Sequence, residues 1–456
     1  MLNDLLTNDV MLNDLLIWGA LLLGLVFLVV DKRRKCGALT LAYFLTLSLG
    51  HIPGALAYLG QSFFAYSAEA TKVGLDMTLI GMTTFLVGAL SARLSPERAA
   101  NVKAYQQTAS ADFFSRISRR TLTIGIIGYF VILPVAALLP SFTAIASVTV
   151  LLLILGFWLK LYAADSRQTL STLAMVPLLP LSTLVTGGFI GYGANWAIII
   201  VAFCFVVARH RIWFYLASPV VIFLSLSLFV TYIQQRKDIR DVVWDENSKT
   251  MERLDKVSKL VTDFQFLDLS NEQHLFALDG RLNQNLLVGV GVMRYRANAV
   301  KLLYGATLPV WALIPRAIWP DKPQVGGGSD LVSEFTGAEF AEGTSVGVGQ
   351  VLEFYMNFGT WGVVAGFAVL GFILMRLDQQ IMRALAMRNV SSTLRCALPG
   401  LALLSPLGNL LEIVVAVAAA AIVSRLLIYF NVLGLPPTQR ISPKMSGQTM
   451  RAIAPR

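Results

Sequence analysis

The stretch IWFYLASPVVIFLSLSLFVTY, residues Ile212–Tyr232, runs for 21 residues without an Asp, Glu, Lys or Arg. As a helix it would rise about 30 Å, which is the thickness of the hydrocarbon core of a bilayer. Similar apolar runs recur along the chain, and because they are continuous rather than alternating they argue against a β-barrel. The chain is 56% hydrophobic and 14% charged, with a mean hydropathy of +0.66, whereas soluble proteins are about 25% charged. The sequence therefore predicts an all-α polytopic membrane protein.

We predict about eleven transmembrane helices, with one large polar insert before the last three. Their expected bounds are Leu15–Val30, Ala38–Leu59, Val73–Ala92, Thr121–Leu139, Phe142–Leu159, Leu170–Val185, Ala194–Ala208, Ile212–Tyr232, Gly349–Met375, Thr393–Leu411 and Ile413–Phe430. The chain then divides into helices at 1–232, the insert at 233–348, helices at 349–430 and a basic tail at 431–456. The hexapeptide MLNDLL occurs twice, which leaves Met1 and Met11 as alternative starts.

The distribution of Lys and Arg predicts the orientation, because cytoplasmic loops are enriched in both. Basic residues follow every odd-numbered span, from Lys32–Lys35 after the first to the cluster between Arg93 and Arg120 after the third. This alternation puts the amino terminus outside, the tail in the cytoplasm and the insert on the outer face. The net charge of +10 then reflects loops that meet anionic membrane lipids, so no nucleic acid partner is expected.

The insert is expected to be partly helical. Apolar residues at helical spacing from Met251 to Phe264 predict an amphipathic helix, which lies on the membrane or packs on the other helices. A second helical stretch is expected at Leu286–Tyr304. The apolar segment Leu302–Ile318 is broken by Gly and Pro, and we expect it to be re-entrant or interfacial rather than to span the membrane.

Several function classes are excluded by what the chain lacks. It has no Walker A loop, no GxGxxG after a strand and no HExxH. With only three histidines, and three cysteines whose spacing suggests no metal site, neither a metal nor another cofactor is expected. Any driving energy must therefore come with the substrate or from an ion gradient.

Basic residues of the insert are candidates for binding an anion, since Arg donates to phosphate in pairs. Arg316 is flanked by Pro315 and by Trp319-Pro320, which stiffen the backbone around it, and Lys322 follows closely. A stiff Arg with a nearby Lys would suit a lipid diphosphate headgroup. Pairing with local acids or with lipid phosphates is the alternative.

Other cations of the insert are less distinctive. Arg294 and Arg296 are two residues apart, so on a helix they point to different faces. Arg236, Lys237 and Arg240 follow the end of a span, where such residues usually snorkel to the interface.

Glu353 lies just inside the ninth predicted span, where an ionisable group is costly and is therefore a functional candidate. It is either a general base or a partner of an Arg. Gly327 and Gly328, in a run of three glycines, either let backbone N–H groups approach an anion or form a hinge. Trp319 and Tyr355 either stack on sugar rings or belong to an interfacial aromatic belt.

A second polar break lies at Thr186–Gly193, with the sequence TGGFIGYG between two short spans. We expect it on the same outer side as the insert. It either contributes to a site there or serves close helix packing through glycine.

Five short motifs lie in and after the insert: Arg281-Leu282-Asn283, YGATL at Tyr304–Leu308, IPRAIWPDKP at Ile314–Pro323, GTS at Gly343–Ser345 and EFYMNFG at Glu353–Gly359. Together they resemble the Wzy-type O-antigen or oligosaccharide repeat-unit polymerases. Gly187-Gly188 also resembles a turn of that family, although Phe189 stands where an Arg often follows.

The resemblance implies a GT-C-type glycosyltransferase of the bacterial inner membrane, with the insert as its large periplasmic loop. Such an enzyme joins polyprenyl-diphosphate-linked oligosaccharide units, carried on undecaprenyl diphosphate, into a surface polysaccharide. A hydroxyl of one unit attacks the anomeric carbon of another, and the polyprenyl diphosphate leaves. Glu353 would take the hydroxyl proton, and the cations that would hold the diphosphate are Arg281, Arg294, Arg316 and Lys322. The expected catalytic pair is Glu353 and Arg316, and the further substrate-binding candidates are Arg296, Trp319, Tyr355, Gly327 and Gly328.

Three alternatives remain open at the level of sequence. The first is a ligase of the same broad class, which transfers a finished glycan to another acceptor. The second is a lipid-linked saccharide transporter or flippase, and the third is a non-enzymatic subunit of a polysaccharide export complex. A polymerase would work with membrane lipids around it and with a chain-length regulator and a flippase as partners.

Overall fold

The structure, a computed structural model, describes residues 2–31, 37–59, 65–92, 111–137, 143–208, 211–245, 248–303, 314, 319, 328–340 and 346–433. All regular secondary structure in these ranges is helical. The α-helices are α1 Leu2–Val30, α2 Leu39–Leu56, α3 Ala65–Ser91, α4 Ala111–Ile127, α5 Leu133–Ala137, α6 Thr143–Ala163, α7 Ser166–Leu173, α8 Leu178–Gly187, α9 Gly191–Val207, α10 Ile212–Val243, α11 Thr250–Thr262, α12 Glu272–Leu282, α13 Gln284–Arg296, α14 Gly328–Thr336, α15 Gln350–Ala386, α16 Val390–Ala402 and α17 Leu410–Tyr429. A π-helical turn, Gly128–Ile132, joins α4 to α5.

Nine helical stretches in the described ranges are long and apolar enough to cross a bilayer, and two of them combine α4 with α5 and α7 with α8. The prediction of a polytopic helical membrane protein is thus confirmed, while the count of eleven spans stays a prediction. Two predicted spans are short helices: α9 has 17 residues and α16 has 13. The predicted tenth span, Thr393–Leu411, is interrupted because α16 ends at Ala402 and α17 begins only at Leu410.

The centre of the bundle is the pair α3 and α15, which pack closely through small residues. A Cβ atom at Gly88 would lie 2.0 Å from the carbonyl oxygen of Ala368, and one at Gly371 would lie 2.0 Å from that of Phe85. Such close backbone approach is typical of helices that associate in lipid, where dispersion contacts rather than hydrophobic burial hold helices together.

Helix α10 shows the lipid-facing character of the fold most clearly. Its first half exposes large apolar side chains, among them Trp213 at 69% and Leu216 at 62%. An exposed patch of this size is costly in water and normal in hydrocarbon.

The predicted span Ile212–Tyr232 is only part of this helix, because α10 continues to Val243. The insert, residues 233–348, begins where α10 projects from the bundle. We call this end of the bundle the insert end.

Two helices of the insert, α12 and α13, meet at a tip, residues 283–285, that packs against Gly54 of α2 and Gly74 of α3. The tip residues Asn283 and Asn285 are buried. A Cβ atom at Gly74 of α3 would lie 1.9 Å from the carbonyl oxygen of Asn285, so the tip requires glycine there. The insert is therefore anchored to α2 and α3 through this buried tip.

Hydrogen bonds compensate for the polar tip, as burial requires. The ring of His51 on α2 bonds through Nδ1 to Oδ1 of Asn285 at 2.7 Å, and Nδ2 of Asn285 donates to the His51 carbonyl at 2.7 Å. Asn283 donates to the hydroxyl of Thr71 at 2.9 Å and to the carboxylate of Asp279 at 2.6 Å.

The predicted helices of the insert are found with changed bounds. The amphipathic helix is α11, which packs on α10. Val257 and Leu260 of α11 are buried, and Lys256 of α11 pairs with Asp238 of α10 at 3.2 Å. The second helix, α13, ends at Arg296 rather than near Tyr304, because the chain turns at Asn298, whose φ is 55°. The predicted re-entrant segment Leu302–Ile318 falls almost wholly outside the described residues.

Helix α15 is broken near its insert end. Phe358 has φ −134° and ψ 15°, and Gly359 has φ 61° and ψ −155°. The carbonyl of Asn357, which the break releases from the helix, accepts the backbone N–H of Leu303 at 3.1 Å. The break thereby connects α15 to the segment of the insert that follows α13.

Candidate functional site

A cationic cavity lies at the insert end, between the projecting end of α10 and the last turn of α12. Its volume is about 400 Å³, within the range of small-molecule sites. We call it the α10–α12 cavity, and its lining residues are Ile233, Arg236, Lys237, Arg240, Asp241, Trp244 and Arg281.

The spacing of these residues explains why they share one cavity. On α10 they recur every three or four positions from Ile233 to Trp244, so they form one stripe of the helix. This stripe exists because α10 stays helical for three turns beyond the apolar run. Arg281 joins it from α12, where it occupies the last turn.

The cavity carries an excess of positive charge. Four of its side chains are cations and only Asp241 is an acid. Among the described residues, none of the four cations forms an ion pair, while the nearby Asp238 is already paired with Lys256. Partial burial, and then the charges of Arg236 and Arg240, lower the pKa of Arg281. Four cations held close together with a single acid form a site for an anion with more than one negative charge.

The turn between α8 and α9, residues 187–190, borders this cavity, and we call it the glycine turn. Gly188 has φ 72°, a left-handed conformation that favours glycine. Its carbonyl accepts the hydroxyl of Tyr232 at 2.8 Å, and the carbonyl of Gly187 accepts the indole N–H of Trp244 at 3.2 Å. The turn is therefore attached to α10 at the level of the cations.

Glu353 is buried, and its carboxylate already has a partner. Its Oε2 atom accepts the backbone N–H of Leu410 at 2.6 Å, so it caps the first turn of α17, whose own cap residue Asn409 instead accepts the N–H of Val348 at 3.0 Å. A carboxylate near the positive end of a helix is stabilised there. Glu353 thus has a structural role in the structure, and its catalytic role stays a prediction.

The other predicted cations lie apart from the α10–α12 cavity. Arg294 and Arg296 are at the far end of α13, with Arg294 half-buried beside Gly337 and Arg296 exposed. The ring of Tyr355 contacts that of Tyr295 edge-on, with centroids 6.1 Å apart. Arg281 is therefore the one predicted diphosphate ligand that the described structure brings to this cavity.

The remaining predicted residues can be followed only in part. Arg316, Lys322 and Gly327 lie outside the described residues, Gly328 begins α14, and Trp319 is half-buried. No group of three His, Cys, Asp or Glu side chains in the described ranges is placed to hold a metal ion.

A second cavity, of about 440 Å³, lies between α1 and α3. Its carboxylates, Asp14 and Asp76, share Lys72 at 2.9 and 2.5 Å. Because these charges are paired with one another, this cavity offers less to a charged ligand than the α10–α12 cavity does.

Comparison of the chain with protein-family models, curated proteins and solved structures finds no match. The resemblance to Wzy-type polymerases therefore rests on the motifs quoted above and stays a prediction.

The sequence favours a position at the membrane interface for Arg236, Lys237 and Arg240, and it did not predict that they line a cavity. The available signal was their spacing: Ile233, Lys237, Asp241 and Trp244 continue the helical period after the apolar run has ended. That period predicts a helix projecting beyond the bilayer, with one face available to a neighbour.

Proposed function

We propose that this protein is a glycan polymerase that joins polyprenyl-diphosphate-linked oligosaccharide units on the outer side of a bacterial inner membrane. The observation that carries the proposal is the α10–α12 cavity, where four cations that form no ion pair with any described residue lie next to the apolar part of α10. A lipid diphosphate has the matching chemistry, since it combines a polyanionic group with a long hydrocarbon chain. The motifs that resemble those of Wzy-type polymerases support the same substrate class.

The proposed reaction requires little beyond positioning and charge. A hydroxyl oxygen of the acceptor sugar forms a bond to the anomeric carbon of the donor, and the bond from that carbon to the diphosphate oxygen breaks. The electron pair leaves with the diphosphate, whose negative charge Arg236, Arg240 and Arg281 stabilise. The hydroxyl proton passes to a base, for which Glu353 is the candidate, and Arg316 is proposed to act with it.

The outer location is part of the proposal and is supported by the basic residues that follow the odd-numbered spans. With this orientation, the insert end faces the periplasm, where glycan units on a lipid carrier are joined after their transfer across the membrane. A flippase and a chain-length regulator are the partners that this arrangement requires.

The test uses the full-length protein in lipid nanodiscs with a polyprenyl-diphosphate-linked oligosaccharide, and product length is read on a gel. Arg240→Ala and Arg281→Ala are each expected to slow elongation roughly tenfold or more, because each removes charge-assisted hydrogen bonds to the leaving group. Lys259→Ala, which removes an exposed cation of α11 outside the cavity, is the control and should elongate normally.

Two outcomes would contradict the proposal. Wild-type protein that never lengthens the glycan is not a polymerase. If cells without the protein accumulate long chains on the lipid carrier instead of single units, the protein is a ligase.

A further inference from the structure

The guanidinium group of Arg240 contacts two aromatic rings, which also lie next to each other. It is 4.2 Å from the centroid of the Phe189 ring and 5.0 Å from that of Trp244, and the two rings are 6.1 Å apart. Trp244 lies on the same helix one turn further on, but Phe189 belongs to the glycine turn, 51 residues earlier in the chain. The cation is therefore held from two separate elements.

Backbone contacts fix Phe189 relative to Arg240. The carbonyl of the preceding residue, Gly188, accepts the Tyr232 hydroxyl at 2.8 Å and lies 3.5 Å from Nε of Arg240. A Cβ atom at Gly188 would come within 3.1 Å of Cγ of Arg240, which shows how closely the turn approaches the arginine stem. The ring of Phe189 is thus presented to Arg240 by a turn that is itself bonded to α10.

The two aromatic rings hold Arg240 in place despite the positive charges around it. Arg236 and Arg281 repel the guanidinium of Arg240, and a long side chain without a partner would turn away from them toward solvent. A carboxylate would hold Arg240 but would also neutralise it. An aromatic face attracts the cation through its quadrupole and leaves its full charge for a ligand.

We infer that Phe189 is a positioning residue, which holds Arg240 against the α10–α12 cavity so that its guanidinium is ready for the diphosphate of a lipid-linked substrate. The inference rests on the proposed function for the identity of that ligand. It assigns the glycine turn to the site, where its contribution is an aromatic ring rather than a cation of its own.

The test measures binding of farnesyl diphosphate to the full-length protein in nanodiscs. Phe189→Leu keeps an apolar side chain in the turn but removes the ring, and it should weaken binding about three- to tenfold. Phe189→Tyr keeps the ring and should bind within about twofold of wild type. Phe266→Leu removes an aromatic ring that stacks on Phe223, away from the cavity, and should leave binding unchanged.

A double-mutant cycle separates positioning from general stability. If Phe189 acts through Arg240, then Phe189→Leu should cause no further loss in protein that already carries Arg240→Ala. An equal loss in both backgrounds would overturn the inference, as would wild-type affinity in Phe189→Leu or no binding of farnesyl diphosphate by the wild type.

The proposed function fails on a different result. Wild-type protein that binds farnesyl diphosphate but never elongates a glycan would retain the inference and lose the polymerase. Normal elongation with no effect of Phe189→Leu on binding would do the reverse.

Discussion

Glu353 illustrates at the level of one residue how a structural contact and a catalytic role are separated. Its carboxylate accepts the N–H of Leu410, and a carboxamide oxygen can accept the same hydrogen bond. Only the carboxylate can take a proton from a sugar hydroxyl. The two roles therefore respond differently to Glu353→Gln and Glu353→Ala.

We expect Glu353→Gln to reduce elongation by about 10²- to 10⁴-fold, the usual contribution of a general base, with little change in thermal stability. Glu353→Ala should in addition destabilise the protein by about 1 kcal/mol, since the start of α17 loses its cap. Elongation assays and thermal unfolding in detergent measure the two effects. A Glu353→Gln protein that elongates at the wild-type rate would restrict Glu353 to capping.

At the level of elements, the break in α15 depends on Gly359. Its φ of 61° and ψ of −155° fall in a region that is essentially restricted to glycine. Gly359→Ala should therefore destabilise the protein by roughly 1–3 kcal/mol and loosen the bond from Leu303 to Asn357. Gly19→Ala on α1, where an added Cβ meets nothing within 4 Å, is the matched control and should not lower the unfolding temperature. Equal unfolding temperatures for the two variants would show that the break is not required.

The elements also show what sequence predicts and what it does not. Apolar runs predict membrane-spanning helices because the bilayer sets their length, so helices such as α2 and α6 were found near their predicted positions. The projecting end of α10 was missed because the apolar pattern that predicts a span ends at Tyr232, whereas the helix continues to Val243. The cavity that Arg236 and Arg240 line is completed by Arg281, which is 41 residues after Arg240 in the chain. Local patterns carry no information about such a neighbour.

On the scale of the whole molecule, α15 connects both ends of the bundle. Glu353 caps α17 at the insert end, and near the other end the buried Asp378 accepts the N–H groups of Leu39 and Thr40 at 2.8 and 2.9 Å and the Thr40 hydroxyl at 2.6 Å. Asp378 thereby supplies the cap that α2 lacks, since Ala38 has no side-chain acceptor.

Asp378→Ala should destabilise the protein by about 1–3 kcal/mol for each buried donor that it leaves without an acceptor. Asp378→Asn, which keeps one carbonyl oxygen, should lose less. Unfolding temperatures in detergent measure both, and an unchanged value for Asp378→Ala would show that water replaces the cap. Lys259→Ala again serves as a surface control.

The cap on α2 has a consequence for biogenesis. Leu39 and Thr40 of α2 are made 339 and 338 residues before Asp378, whose carboxylate accepts their N–H groups. Helix α2 therefore reaches the membrane long before its cap exists. Until α15 is inserted, N–H groups in the first turn of α2 have no acceptor in the protein. Water at the membrane surface or an insertase must then accept their hydrogen bonds. A nascent chain arrested at the insert should therefore keep its second helix shallow and accessible to labelling, and the helix should settle into the bilayer only when the last third of the protein has been translated.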